Sequence, residues 1–442
     1  MVMKKNELLG WLGEWTFKER SDFLAIHKLH RYPATFLPEL ADKIISAFSK
    51  EGDIVLDLFS GTGTTLVEAK RLNRQSIGIE LNPLAVLIAR GKLTSTWHDE
   101  ASYRSVLGQL KHCYMQGGFE KISIPNEATW FDPMTLSSLS DLIGACDKLD
   151  NPNHQDFFKL CVSDIIRDVS YCVHSGFKLH RDKVKLKDGW AFDKQALWDK
   201  LAPVFERNYH AIIEANSQLS NKNATVIQGD TREKLLENNS VDLILTSPPY
   251  GDSKTTVAYG QYSALSAYLL GITNSESKTS HSLDADLLGG KTKDIAIDDF
   301  SSHSLTLTNI VELLLGRAAL APTKEDKART LDRLKDIVAF YQDLELCLKN
   351  GADYLKGDGY FVLVTSSRIV HDVKLHTDII IAELGRAYQL RLKNIYYRDI
   401  LNKRTPSKVN AKNILGSKTA TMTEESIIVL QKIPSKGEKS GQ

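Results

Sequence analysis

No uninterrupted apolar run of about 18 residues occurs in the 442-residue chain, so no segment reads as a bilayer-spanning helix. Cysteine is scarce: Cys113, Cys146, Cys161, Cys172 and Cys347 are scattered, with no CxxC pair. That scatter offers no zinc framework and suits reduced thiols used as core filler. Charge of one sign is missing as well. Lys and Arg total 56 against 55 Asp and Glu, a formal charge of +1, so a polyanionic partner would have to be met by local clusters. No fixed-period repeat recurs, which sets aside solenoids and propellers. Near the N-terminus, Lys4 and Lys5 are followed by Glu7, Trp11, Glu14 and Trp15, where a secretory signal needs a long apolar stretch and a small-residue cleavage site. A cytoplasmic protein is therefore expected. Hydrophobic residues at 42% and charged residues at 25% are the proportions of a globular chain able to bury a core.

Within that frame the local texture is α/β. The segment 53–58 (DIVLDL) is a short strand-like run that ends in Ser60-Gly61-Thr62-Gly63-Thr64-Thr65, after which a helical pattern starts. A second strand, 76–80, and a second helix, 84–92, follow at the spacing of a βαβ unit. From about 94 to 221 amphipathic helical stretches take over, including 134–149 and 157–171, broken by a basic loop-like stretch at 175–189. The α/β texture resumes with strands at 224–228 and 241–245. Residues 251–330 read as an elaborated loop or cap, followed by a helix near 327–355, strands at 360–365 and 426–431, and a disordered tail from 433 to 442.

Two constellations carry chemistry. In the first, the glycine turn lets backbone approach a ligand at a helix N-terminus, and Glu80 closes the next strand, where a carboxylate can accept from both hydroxyls of a ribose. A dinucleotide fingerprint would want a third small residue where Leu66 stands. In the second, a hydrophobic strand ends in Ser247-Pro248-Pro249-Tyr250. Consecutive prolines remove two N–H donors and stiffen the backbone, so carbonyls point into a pocket at the strand's C-terminal end. A planar amino group held by the Ser247 side chain and the Pro248 carbonyl would turn its nitrogen lone pair toward an electrophile, while Tyr250 offers a stacking face.

Taken together these segments resemble the S-adenosylmethionine-dependent amino-group DNA methyltransferases, which act on N4 of cytosine or N6 of adenine and often belong to restriction-modification systems. Asp57-Leu58-Phe59-Ser60-Gly61-Thr62-Gly63-Thr64-Thr65 is similar to the family's methionine-binding motif, Glu80-Leu81-Asn82-Pro83 to its ribose-binding motif, and Gln228-Gly229-Asp230 to its adenine-edge motif. The segment 30–36, with Tyr32, Pro33 and Thr35, resembles the part that packs over the cofactor's methionine end. Thr246-Ser247-Pro248-Pro249-Tyr250 resembles the catalytic motif in the version frequent among N4-cytosine enzymes. The resemblance implies a Rossmann-like methyltransferase fold, a mixed and mostly parallel sheet with helices on both faces, plus a largely helical insertion. Residues 1–93 would form the cofactor-binding part, 94–221 the inserted target-recognition region, and 222–432 the remainder of the catalytic domain. It further implies S-adenosylmethionine as cofactor, double-stranded DNA as substrate with an extruded base, a cognate restriction endonuclease as a partner, and no metal or membrane. None of the five cysteines follows a proline, which argues against C5-cytosine chemistry. N6-adenine methylation, guanine-N2 methylation of RNA and a non-catalytic DNA-binding protein remain as alternatives.

DNA contact is expected from two basic runs. One is 174–187, with Lys178, Arg181, Lys183, Lys185 and Lys187 among aromatic and histidine residues; the other spans Arg391 to Lys412, where Asn402-Lys403-Arg404 resembles a loop beside the family's active site. A solvated lysine face is the alternative for each. His27 and His30 lack a carboxylate or cysteine at metal-ligand spacing, Trp11 and Trp15 read as the core face of a helix, and Glu68 and Asp242 read as surface or strand-end residues.

Overall fold

The computed structural model describes residues 23–94, 96–97, 99–173, 176–251, 257–272, 280–297, 300–400, 408–410, 418–420 and 424–434. Trp11, Trp15, His174, Ser175, Lys403, Arg404 and the tail from 435 lie outside these residues. Its centre is a seven-stranded sheet built from β1 (Ile54–Asp57), β2 (Gln75–Glu80), β3 (Ala224–Gln228), β4 (Val241–Thr246), β5 (Leu355–Thr365), β6 (Leu390–Asp399) and β7 (Glu424–Lys432), in the order β3-β2-β1-β4-β5-β7-β6. The first five strands run parallel, and β7 is antiparallel to both β5 and β6. This is the mixed, mostly parallel Rossmann-like sheet anticipated from the motifs.

Both faces of the sheet are covered, which is why its strands read as continuous apolar runs rather than alternating ones. Leu243 and Leu245 of β4, Val362 and Val364 of β5, and Ile427 and Val429 of β7 share one buried cluster with α1 (Pro38–Phe48). Their neighbours Ile244, Phe361, Leu363, Ile428 and Leu430 share another cluster with α9 (Leu305–Ala319), α10 (Lys324–Tyr354) and α11 (Thr377–Ala387). The period of two in side-chain direction sorts the residues between the faces.

On the β2–β3 side of the molecule, α2 (Thr64–Arg71) and α3 (Pro83–Leu93) follow β1 and β2. The inserted stretch then forms α4 (Glu100–Gln116), α5 (Pro133–Asp147), α6 (Pro152–Val169) and α7 (Lys194–Asn216), and α8 (Tyr259–Leu269) joins them after β4. Several starts are marked by cap residues: Asn82, Asp132, Asn151 and Asp193 each accept a backbone N–H of the first turn, and proline opens α3, α5 and α6. The insertion does not have a core of its own. Its Trp97, Tyr103, Phe157, Phe158 and Phe205 belong to one cluster with Leu84–Ala89 of α3, and a Cβ on Gly91 would lie 2.5 Å from Leu160 Cδ1. α3 and α6 are thus in direct contact.

Strand β6 is the main departure from the sequence pattern. Arg391, Lys393 and Arg398, which the sequence presents as part of a basic run between strands, lie on an edge strand paired with β7. Charged residues are common on sheet edges because they discourage further pairing, and they mask the strand signal. No described helix is long and apolar enough to cross a membrane.

Candidate active site

Strand order reverses between β1 and β4, and open α/β sheets bind ligands in the crevice at such a point. A cavity of about 700 Å³ occupies it here. Of the residues singled out in the sequence, Tyr32, Thr35, Asp57, Phe59, Ser60, Gly61, Thr64, Glu80, Leu81, Asp230, Ser247, Pro248, Pro249 and Tyr250 line it together. Pro33, Gly63 and Thr65 are buried behind this lining rather than on it.

The glycine turn is shaped by what surrounds it. Gly61 and Gly63 have φ of +49° and +77°, in the left-handed region that favours glycine. A Cβ on Gly63 would meet Ala89 Cβ at 2.9 Å, so this residue serves close packing on α3; a Cβ on Gly61 would meet nothing within 4 Å. Gly78 of β2 lets the turn settle against the sheet, since its Cβ would lie 2.7 Å from Ser60 Cβ. Glu80 then braces the turn: Oε2 accepts from Gly61 N at 2.8 Å and Oε1 from Asn82 N at 2.7 Å. Burial pushes the Glu80 carboxyl up to about 7, against the pull of these two donors.

Asp57 ties the turn to β4. Thr246 Oγ1 donates to Asp57 Oδ1 at 2.7 Å, and Phe59 N donates to both Asp57 Oδ1 and Thr246 Oγ1 at 3.1 Å. Buried below the cavity floor, the Asp57 carboxyl is pushed up to about 6. One residue later, Ser247 Oγ donates to the Val364 carbonyl at 3.0 Å. With its proton committed to β5, the hydroxyl oxygen has lone pairs left to accept a hydrogen bond from an amino group.

Tyr250 has partners that no local motif announces. Its hydroxyl donates to Glu425 Oε1 of β7 at 2.8 Å, and Arg398 Nε of β6 lies 3.4 Å from Glu425 Oε2. Glu425 and Arg398 face each other across the β6–β7 ladder, and both line the cavity. Burial, with the Glu425 carboxylate beside it, holds the Tyr250 phenol well above its ordinary value, so it remains a donor. Arg398 is only 8% exposed, which removes it from the solvent-facing basic run to which its sequence position had assigned it. Tyr259 was also missed: it stacks on Tyr32 with ring centroids 6.0 Å apart, and Asn82 Nδ2 donates to Tyr32 Oη at 2.8 Å.

Asp230 lines the cavity, but its carboxylate is engaged. It accepts from the Arg232 backbone N at 2.9 Å, from Nε at 2.9 and 3.1 Å, and from Nη2 at 2.6 Å, while Arg232 also donates to Asp343 Oδ2 at 2.9 Å and the Asp286 carbonyl at 2.6 Å. The arrangement pins the 286–288 segment over that end of the cavity, and leaves Asp230 little free acceptor capacity.

The basic stretch of the insertion divides in two. Lys178, Arg181, Lys183 and Lys187 are exposed. Lys185 is half-buried rather than exposed: Nζ donates to the carbonyls of Arg167, Asp168, Ser170 and Cys172 at 2.9–3.2 Å, closing the C-terminal end of α6. Glu68 is likewise not a surface residue. It is fully buried, accepts from Arg71 Nε at 2.8 Å and faces His27 Nε2 at 2.8 Å. Asp242 does tie strand ends, accepting from Ile54 N at 2.9 Å and Lys356 Nζ at 2.7 Å.

S-adenosylmethionine fits the residues present. Gly61 has an open side, Glu80 brings a carboxylate to the lining, and Tyr32 stacked on Tyr259 closes the cavity wall, an apolar and hydrogen-bonding surface of the kind such a cofactor needs.

The chain is similar to known DNA methyltransferases. A DNA methylase family model matches residues 8–90. The Type II methyltransferase M.MvaI of Kocuria varians is 30% identical over 452 residues, covering 97% of this chain and 95% of that protein. Type II methyltransferase M.BsoBI of Geobacillus stearothermophilus is 25% identical over 256 residues, covering 51% of this chain and 49% of its own. Among solved structures, the rRNA methyltransferase AviRa of Streptomyces viridochromogenes aligns with a TM-score of 0.33 at 9% identity over 94% of this chain and 96% of that one. A relative alike over almost the full length, and cofactor and catalytic segments that meet in one cavity, lead to one conclusion: the chain belongs to the type II DNA methyltransferases, the S-adenosylmethionine-dependent amino-group enzymes of restriction-modification systems.

Proposed function

We propose that the protein methylates N4 of a cytosine extruded from duplex DNA at a specific site. S-adenosylmethionine supplies a methyl group already activated on a sulfonium, so the chain's task is to orient the attacking nitrogen. The observation that carries the reading is Ser247, whose hydroxyl donates to the Val364 carbonyl and so keeps lone pairs with which to accept from a ligand. An amino group donating to Ser247 Oγ and to the Pro248 carbonyl would have its own lone pair directed at the methyl. Tyr250, partly exposed to the cavity, would stack on the base and offset part of the few kcal/mol that extrusion costs. The preference for cytosine rests on the Ser-Pro-Pro-Tyr form of the motif; N6 of adenine is the second reading.

Target recognition is assigned to the inserted region, with Lys178, Arg181, Lys183 and Lys187 as the phosphate contacts available on its surface. Lys403 and Arg404 are retained as DNA contacts by resemblance, and a restriction endonuclease that cuts the same site is the expected partner. The test is direct. DNA methylated in a host without methylases of its own is digested to nucleosides for mass spectrometry and sequenced by a single-molecule method that reports modified bases. N4-methylcytosine at one recurrent sequence is expected; N6-methyladenine would transfer the reading to adenine, and no modified base would overturn it.

A further inference from the structure

The insertion sends one hydrophobic side chain to the mouth of the catalytic cavity. Phe177 is 39% exposed and yet lines the same cavity as Ser247 and Tyr250. It lies in the return of the chain after α6, within the described residues 176–182. The return is closed at its base by Asp182 N donating to the Tyr171 carbonyl at 2.7 Å and Val173 N donating to the His180 carbonyl at 2.8 Å.

The return is held from inside. Arg167, 7% exposed, directs Nη2 at the carbonyls of Val173, Gly176 and Lys178 at 3.2, 2.7 and 3.3 Å, so the residues on either side of Phe177 are fixed by one guanidinium. The same guanidinium lies over the Tyr262 ring at 4.9 Å, and Tyr262 Oη donates to the Arg31 carbonyl at 2.6 Å, which connects the return to the segment carrying Tyr32. Lys185 gathers four further carbonyls at the base. Two cations are therefore committed to backbone oxygens, and the backbone they anchor carries an aromatic ring that is partly open to solvent. Beside it Lys178, His180 and Arg181 are exposed, a cationic rim around an apolar point.

We infer that Phe177 is a wedge that enters the DNA duplex as the target base leaves it. The inference rests on the base-extruding reading above. A base drawn into the cavity leaves a gap in the stack directly at the cavity mouth, and a rigid aromatic side chain can fill it, as apolar side chains do when they insert between base steps. The cationic rim meets the phosphates flanking the gap. A flexible loop would lose conformational freedom on insertion, and the carbonyl clamps remove that loss beforehand.

The experiment uses the full-length enzyme with Phe177→Ala and Phe177→Trp. Single-turnover methylation is measured on a matched duplex and on the same duplex with the target base mispaired, with S-adenosylmethionine binding followed by calorimetry. Phe177→Ala is expected to slow the matched duplex about tenfold or more and to come within about threefold of wild type on the mispaired one, because a mispair lowers the extrusion cost. Phe177→Trp should stay within about threefold on both, and cofactor affinity should be unchanged in each. Wild-type rates for Phe177→Ala on matched DNA would overturn the wedge. So would equal slowing on both duplexes, or loss of cofactor binding, either of which would make Phe177 part of the scaffold or of the cofactor wall. A wild-type enzyme that methylates no DNA amino group would instead overturn the proposed function, independently of any Phe177 variant.

Discussion

Removing the Tyr250 hydroxyl deletes one oxygen and with it the hydrogen bond to Glu425. The phenol donates to Glu425 Oε1 at 2.8 Å, and Glu425 is in turn 3.4 Å from Arg398 Nε. A hydrogen bond to a charged acceptor contributes about 1.5–3 kcal/mol, so if the bond fixes the ring in its stacking orientation, Tyr250→Phe should slow single-turnover methylation by about 10- to 100-fold. Cofactor affinity should be unaffected. Glu425→Gln is a harsher change. It leaves the Arg398 guanidinium, whose side chain is 9% exposed, without a counter-charge; breaking such a pair costs about 3–5 kcal/mol, and the 16% exposure of the Glu425 side chain favours the lower end. A clear fall in melting temperature should accompany its loss of activity. The double variant separates positioning from scaffold. If Glu425 acts on the reaction through the tyrosine hydroxyl, the double variant should turn over no more slowly than Glu425→Gln alone, a coupling of about 1.5 kcal/mol or more. Additive rate losses, or a Tyr250→Phe enzyme within twofold of wild type, would refute the reasoning and leave the Arg398–Glu425 pair as a stabiliser of the β6–β7 edge.

Further outcomes are expected. Glu80→Ala should weaken S-adenosylmethionine binding by about 1.5–3 kcal/mol in calorimetry, and Gly61→Asp should weaken it by placing an anion on the open side of the turn. Because the Glu80 carboxyl sits at about 7 and its ionised form is the better acceptor, affinity should rise as pH increases through 7, and Glu80→Gln should flatten that rise. Lys185→Met should lower thermal stability without altering the salt dependence of DNA binding, whereas neutralising Arg181, Lys183 and Lys187 together should flatten the slope of log affinity against log salt by up to about three. Ser247→Ala should slow the chemical step by about one to three orders of magnitude at unchanged cofactor affinity; an equal loss of cofactor binding would deny Ser247 its separate role.

What could be read from the sequence was whatever is local. The glycine turn, Glu80 and the Ser-Pro-Pro-Tyr segment each carry their geometry within a few residues, because a left-handed φ, a strand end and a pair of missing N–H donors are properties of short stretches. The apolar runs of β1, β4 and β5 were legible for the same reason: burial on both faces leaves no alternation to misread. Glu425, Arg398 and Tyr259 were not legible, because what brings them to the cavity is strand pairing and helix packing across long separations. Lys185 shows the opposite failure. A lysine among lysines looks like a phosphate contact until the end of α6 presents four carbonyls to it, and nothing in the stretch 183–187 foretells where those carbonyls lie.

Sheet order explains why so large an insertion leaves the chemistry undisturbed. The chain departs after α3 and re-enters as β3, an edge strand that pairs only with β2 in the sheet. β1, by contrast, lies between β2 and β4, so Asp57 at its end reaches Thr246 at the end of β4 although 189 positions separate them. Thr246 Oγ1 both donates to Asp57 and accepts from Phe59 N, which sets the cofactor turn and the residue before Ser247 by the same hydroxyl. Residues of the insertion meet this centre at several places: at α3, at the 29–31 segment, where Asp164 accepts from Arg31 N and Asn208 donates to the Leu29 carbonyl, and at the cavity itself, where Phe177 stands. On the proposed function, a division of this kind would let a DNA-facing insertion vary while the glycine turn and Ser247 stay tied to adjacent strands of one sheet.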